Sequence, residues 1–253
     1  MFGFITKWWH DRIIKRAWVT DVQWAQAFSR LPLLNRLTDV ERSRLRRLVI
    51  LFLHKKSFSG AHGLVVTEEM ALVIALQACL LILNLGIEWY DGWVEIIVYP
   101  GGFAPKRSVT DAAGVVHQVD DALSGEAWQR GPVVLSWDAT ANAGALDGDN
   151  LVIHEFAHKL DMLTGAANGF PPIHAEMDVA AWTDTFTLAF DDFRAKAEAG
   201  IETDINTYGA SSPAEFIAVL SEEFFERPQV IQTRYPQVYD LLRNFYRQDP
   251  MAR

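Results

Sequence analysis

Cysteine is almost missing from this sequence: Cys79 is the one cysteine in 253 residues. That excludes an internal disulfide, a dithiol redox pair and a metal site built of thiolates alone. Basic charge is also short. Twenty-three Lys and Arg face 32 Asp and Glu, a net charge of −9, which argues against a dedicated nucleic-acid binder. No internal repeat is present. The first residues lack the unbroken apolar stretch and small-residue cleavage site of a secretory leader. The longest apolar run, residues 70–87, barely reaches bilayer length and contains Gln77 and Asn84. It reads as a core helix packed on several sides, so no membrane span is expected. The cytoplasm is the expected location.

What is present is core-building material. Half of the residues are hydrophobic, with 9 Trp, 15 Phe and 6 Tyr. A chain of this length buries roughly three quarters of its unfolded surface and needs no staples. The charge is uneven. Residues 1–60 hold twelve Lys or Arg against four acids, +8, so the remainder carries −17. This basic, Trp-rich segment reads either as a docking surface for an acidic partner or a membrane face, or as the solvent side of amphipathic helices. The expected division is a basic helical region, 1–62, packed on a main domain, 63–253.

Apolar spacing predicts helices over residues 4–14, 21–28 and 39–53, the last with Asp39 as its N-cap. A link over 57–63 leads to the apolar helix near 67–85, capped by Thr67. Residues 93–99, 114–119 and 132–137 read as strands, and 138–150 as a polar, Gly-rich loop. Helices follow over 150–163, 175–199, 212–225 and 236–247. Helices on either side of a short antiparallel or mixed sheet make the fold α+β, mostly helical.

His154-Glu155-Phe156-Ala157-His158 carries the chemistry. Residues four apart on a helix share a face, so both imidazoles can reach one metal ion. Glu155 lies about 100° round the helix, within reach of a water at that ion. Leu151, Val152, Ile153, Phe156, Ala157 and Leu160 make the rest of the helix apolar, with Asp149 or Asn150 as its cap. A catalytic zinc takes three protein ligands. The extended motif with a third His fails, because its Gly and His positions are Asp161 and Thr164. The candidates for the third ligand are Glu176, Asp178, Glu215, Glu222 and Glu223, with His174 as an outsider. Glu215 has a competing duty, since Ser212-Pro213-Ala214-Glu215 is also a helix capping box. The spacing allows both. Asp161 sits on the side of His154 and His158 and reads equally as a residue orienting a ligand imidazole or as an ordinary hydrogen-bond acceptor.

The segments HEFAHKLDMLTG (154–165) and YGASSPAEFIAVLSEEFF (208–225) resemble the Mlc titration factor A family of bacterial zinc metallopeptidases. The likeness runs through most of residues 60–253, VYPGGF and PVVLSWD included, and is weaker in the basic region. The same motifs, more distantly, resemble the catalytic domain of anthrax lethal factor. The resemblance implies a zincin-like, gluzincin-type core, with Glu215 as third zinc ligand beside His154 and His158. It also implies Tyr208, seven residues earlier, directed at the metal. Glu155 would then act as general base and Tyr208 as oxyanion donor. The implied activity is aminopeptidase-like hydrolysis of small peptides, with binding of the Mlc transcriptional repressor and so regulation of sugar-uptake genes. The alternative is a repressor-sequestering protein in which zinc hydrolysis is minor. Peptidases of this kind bind substrate as an added strand, and 132–137 is the expected edge.

Overall fold

In the computed structural model, residues 2–101, 107–110, 116–119, 125–127 and 131–253 are described, with side chains for 8–101 and 131–253. The chain opens with α1 (Phe2–Lys15), α2 (Asp21–Ser29) and α3 (Asp39–Lys55). Thr38, not Asp39, caps α3. Its hydroxyl accepts the Glu41 N–H while Glu41 reaches back to the Thr38 N–H, a reciprocal arrangement an aspartate at the first helical position cannot offer.

The 57–63 link is in part a strand, β1 (Ser57–Gly60). It is followed by α4 (Glu68–Leu81), capped by Thr67 and buried from Met70 to Leu81, and by β2 (Glu95–Tyr99). Strands β1 and β2 pair in parallel, with α4 inside the crossover that parallel pairing requires. At 14 residues α4 falls short of the ~20 a bilayer demands. Among the described residues no helix is long and apolar enough to cross a membrane.

Next come β3 (Arg107–Thr110) and β4 (Val116–Val119), an antiparallel pair. Of the expected strand 114–119, the part Val116–Val119 is a strand. Residues 114 and 115, the Gly102-Phe103 end of VYPGGF and the His117 side chain lie outside the described residues. The short β5 (Gly125–Ala127) and β6 (Val133–Ser136) complete a mixed sheet of order β1-β2-β6-β5, with β5 antiparallel to β6. Strand β6 is therefore no edge. All four of its residues are buried, an apolar run on both faces that suits an interior strand.

Two elements differ from the sequence expectation beyond this. The supposed loop 138–150 begins as a helix, α5 (Trp137–Asn142), which Ser136 caps. After α6 (Leu151–Asp161), α7 (Val179–Glu198) and α8 (Pro213–Glu226) comes an unanticipated α9 (Pro228–Arg234), then α10 (Pro236–Tyr246). Helix α7 starts at Val179 because Asp178 caps it. Pro228 and Pro236 sit at helix starts, where a missing N–H costs nothing.

The core gathers around α6, every residue of which is buried. Phe156 projects from it into an aromatic cluster with Phe52 of α3, Tyr90 and Trp93, ring centroids 5.2–5.7 Å away. Such edge-on contacts add to area burial and fix the rotation of α6 about its axis. The fold is mostly helical α+β with a small sheet, and its His-His-Glu cluster is compatible with a zincin-like core.

Candidate metal centre

Helix α6 meets α8, and the two histidines face one carboxylate across that junction. The Glu215 Oε2 atom lies 3.0 Å from Nε2 of His154 and 3.2 Å from Nε2 of His158, and the two Nε2 atoms are 3.2 Å apart. Two imidazole nitrogens facing each other at this distance need a shared cation or a proton on one of them. Four donors at about 2.0–2.1 Å from a tetrahedral ion lie about 3.3 Å apart. The observed triangle has edges of that size, so this donor set fits a metal ion.

Glu215 resolves its two duties by splitting them. Its backbone N–H donates to the Ser212 hydroxyl at 3.2 Å, as a cap requires. Its carboxylate does not return to Ser212 but turns to the histidines. Burial alone would push this carboxyl up, yet the two imidazoles outweigh it and hold the pKa at about 2. Burial likewise depresses His154, but hydrogen bonds to Glu215 and Glu222 reverse this and raise it to about 10.

The other third-ligand candidates have different partners. Glu176 pairs with Arg247, Asp178 caps α7, Glu223 pairs with Arg227, and His174 Nε2 bonds the Phe245 carbonyl. Glu222 is the informative one. His154 Nδ1–H donates to its Oε1 at 2.8 Å, and its Oε2 accepts the Asn150 N–H. It thereby fixes the tautomer and tilt of the ring whose Nε2 faces Glu215. Sequence reasoning missed this role, although 215 and 222 lie two turns apart on one face of α8.

Asn150, not Asp149, caps α6. Its Oδ1 accepts the Ile153 N–H at 3.0 Å, and its Nδ2 donates to Gln77 at 2.9 Å and Glu226 at 2.8 Å. Burial raises the Glu226 carboxyl to about 7. A fully buried polar chain thus links α4, α6 and α8 behind the histidines.

At the other end of α6, Asp161 Oδ2 accepts the N–H groups of Asn168 and Gly169, each at 2.8 Å. Gly169 has φ +81°, and a Cβ there would sit 2.8 Å from the Pro213 carbonyl oxygen. Asp161 therefore tucks a loop against the first turn of α8, two residues from Glu215. Its Oδ1 and the Nδ1 of His158 are both buried without a hydrogen-bond partner among the described residues.

Glu155 is buried, 3% exposed, next to His154 in the chain. Tyr208 lies in a short 3-10 turn, Thr207–Ala210, and its N–H donates to the capping Asn206 Oδ1. Its ring is 6.0 Å from that of His154, centroid to centroid, and 47% of the residue is exposed.

The family model for glucose-regulated metallo-peptidase M90 matches residues 5–247. The chain belongs to this family. M90 relatives are close. "Mlc titration factor A" of Yersinia pestis (strain Pestoides F) is 41% identical over 234 residues, 91% of this chain and 86% of that protein. The protein of the same name from Yersinia pseudotuberculosis serotype O:1b (strain IP 31758) matches to the same extent. The M90 match takes in the basic amino-terminal helices from residue 5 as well as the metal centre, so the family likeness is not confined to residues 60–253.

Proposed function

We propose that this M90 metallopeptidase is a zinc-dependent aminopeptidase acting on short peptides. The observation that supports the reading best is the triangle of His154 Nε2, His158 Nε2 and Glu215 Oε2, with edges of 3.0–3.2 Å, on a buried helix that also carries Glu155. A bound zinc ion polarises a scissile carbonyl and acidifies water. Glu155 takes the proton of the attacking water and passes it to the leaving amine. Tyr208 donates its O–H to the oxyanion as it develops. Glu222 holds the His154 ring in place from behind, and Asp161 secures the end of α6 and the turn before Glu215. The preference for a free amino terminus is what the family resemblance implies.

The deciding experiment pairs metal content with turnover. Glu155→Gln keeps every ligand but loses the base, so it should retain zinc while hydrolysis falls about 10²–10⁴-fold. Full activity in that variant would overturn the mechanism. Hydrolysis of an alanyl peptide with a free amino terminus, set against its acetylated twin, tests the aminopeptidase reading.

The name of the Yersinia relatives supports a second role, binding of Mlc; the family resemblance implies that Mlc is a transcriptional repressor, which places this role in the cytoplasm in the proposed reading. In that reading residues 1–62 supply the contact and 63–253 the peptidase. The division is one of function, because β1 of the first part is hydrogen-bonded to β2 of the second. Repressor binding measured in Glu155→Gln separates the roles, and loss of both activities together in a folded protein would count against them being distinct.

A further inference from the structure

We infer that the groove between α1 and α3 is a docking site for an acidic amphipathic helix of a partner protein. The inference deepens the partner-binding half of the function proposed above and assigns it to a particular face. Helix α1 lies on α3, pinned by the Asp11–Arg47 ion pair at 2.8 Å. The groove beside it holds about 390 Å³, space for a few bulky side chains. Ile13, Val19, Ile50 and Leu53 line it together with Trp9 and Trp18, and Arg12, Arg16 and His54 are its polar lining. Trp9 and Trp18 are 53% and 46% exposed, a large apolar area left in water.

Charge decides what fits. Four cations of the basic region outside the groove have carboxylate partners: Arg30 with Glu69, Arg46 with Asp21, Arg47 with Asp11 and Lys55 with Asp91. Among the described residues, no acid lines the groove, and neither Arg12 nor Arg16 has a carboxylate partner. Arg12 lies instead over the Trp8 ring, 5.5 Å from its centroid. An apolar lining offers nothing to a phosphate backbone. A membrane would favour a convex face, whereas this surface is hollow between two helices. An amphipathic helix answers both features, its apolar side chains entering the groove and its flanking Asp or Glu meeting the two arginines. Neither α1 nor α3 supplies a residue of the metal centre, so the two sites can be altered separately.

A fluorescently labelled 18-residue helical peptide of Leu and Glu, and a twin of Leu and Lys, should be titrated against the full chain by anisotropy. The Leu/Glu peptide should bind and the twin should not, and added salt should weaken the binding. The double variant Arg12→Glu/Arg16→Glu should lose at least tenfold in affinity, and the exposed Trp9→Ala should lose several-fold. Both should keep the circular dichroism and peptide hydrolysis of the parent. Equal binding of the two peptides, unchanged binding by the double variant, or binding only to phosphatidylglycerol/phosphatidylethanolamine vesicles would overturn the inference. An Mlc-type repressor should be titrated in parallel. If it binds parent and double variant equally, the groove is not its site, although repressor binding stands. If it binds neither while the Leu/Glu peptide binds the parent, the repressor reading fails and the groove remains.

Discussion

A buried imidazole between two carboxylates is stabilised as a cation or as a metal ligand. His154 has Glu215 on Nε2 and Glu222 on Nδ1, at 3.0 and 2.8 Å. A metal ion can take the Nε2 side, and the ring's remaining proton then stays on Nδ1, donated to Glu222. Glu222→Ala should therefore leave the three donors in place but weaken metal binding about 10–100-fold, measured by competition with a chromophoric chelator. A second residue-scale prediction concerns Lys56. The residue is 7% exposed, and its ammonium donates to the Tyr90 and Trp93 carbonyls at 2.5 and 2.6 Å, 3.5 Å from the Trp93 ring centroid. Burial lowers its pKa to about 8. Between pH 8 and about 10.5 the unfolded chain holds this proton and the folded one does not, so rising pH favours folding. The stability of the parent relative to Lys56→Met should therefore rise across that window, measured by urea unfolding. A flat difference would show that the ammonium stays charged in the fold.

Elements carry residues to the site, and their ends matter more than their middles. Helix α6 is aimed by Asn150 at its start and Asp161 at its finish, and α8 by Ser212. Because the Glu215 carboxylate faces the histidines, Ser212→Ala removes a cap and no ligand. It should cost about 1 kcal/mol and lower Tm by about 2–4 °C, with metal content unchanged. Thermal unfolding and metal analysis on one preparation check this. The sequence revealed these elements well where a motif or a period marked them. The His-Glu-x-x-His spacing on a helix, the apolar helix and its Thr67 cap were all legible. Strand β1 was not, since SFSG has little β-character of its own and is a strand through its bonds to β2. Helix α5 was hidden in a Gly- and Asp-rich stretch that reads as loop, where the Ser136 cap is the one local sign.

For the whole molecule, the basic region and the acidic body share a core. Leu45, Val49 and Phe52 of α3 are buried together with α4 and Phe156. Removing residues 1–62 would strip an edge strand from the sheet and uncover α4. Such a truncation should lose near-ultraviolet circular dichroism and bind hydrophobic dyes, whereas removal of residues 1–15 should leave the metal centre active. A cooperative, zinc-binding 63–253 fragment would show that the body folds alone.

By itself the sequence determined the helix that carries His154 and His158 and the mostly helical class, because spacing on one helix and bulk composition are local properties. It also placed the surplus of basic charge in the first 60 residues. Only the tertiary structure decided which acid faces the two histidines, that Glu222 braces the first of them, and that residues 133–136 lie inside the sheet. Each of those depends on how segments far apart in the chain pack together. A carboxylate's partner is set by the helix it is pressed against, and a strand's place by its neighbours on both sides.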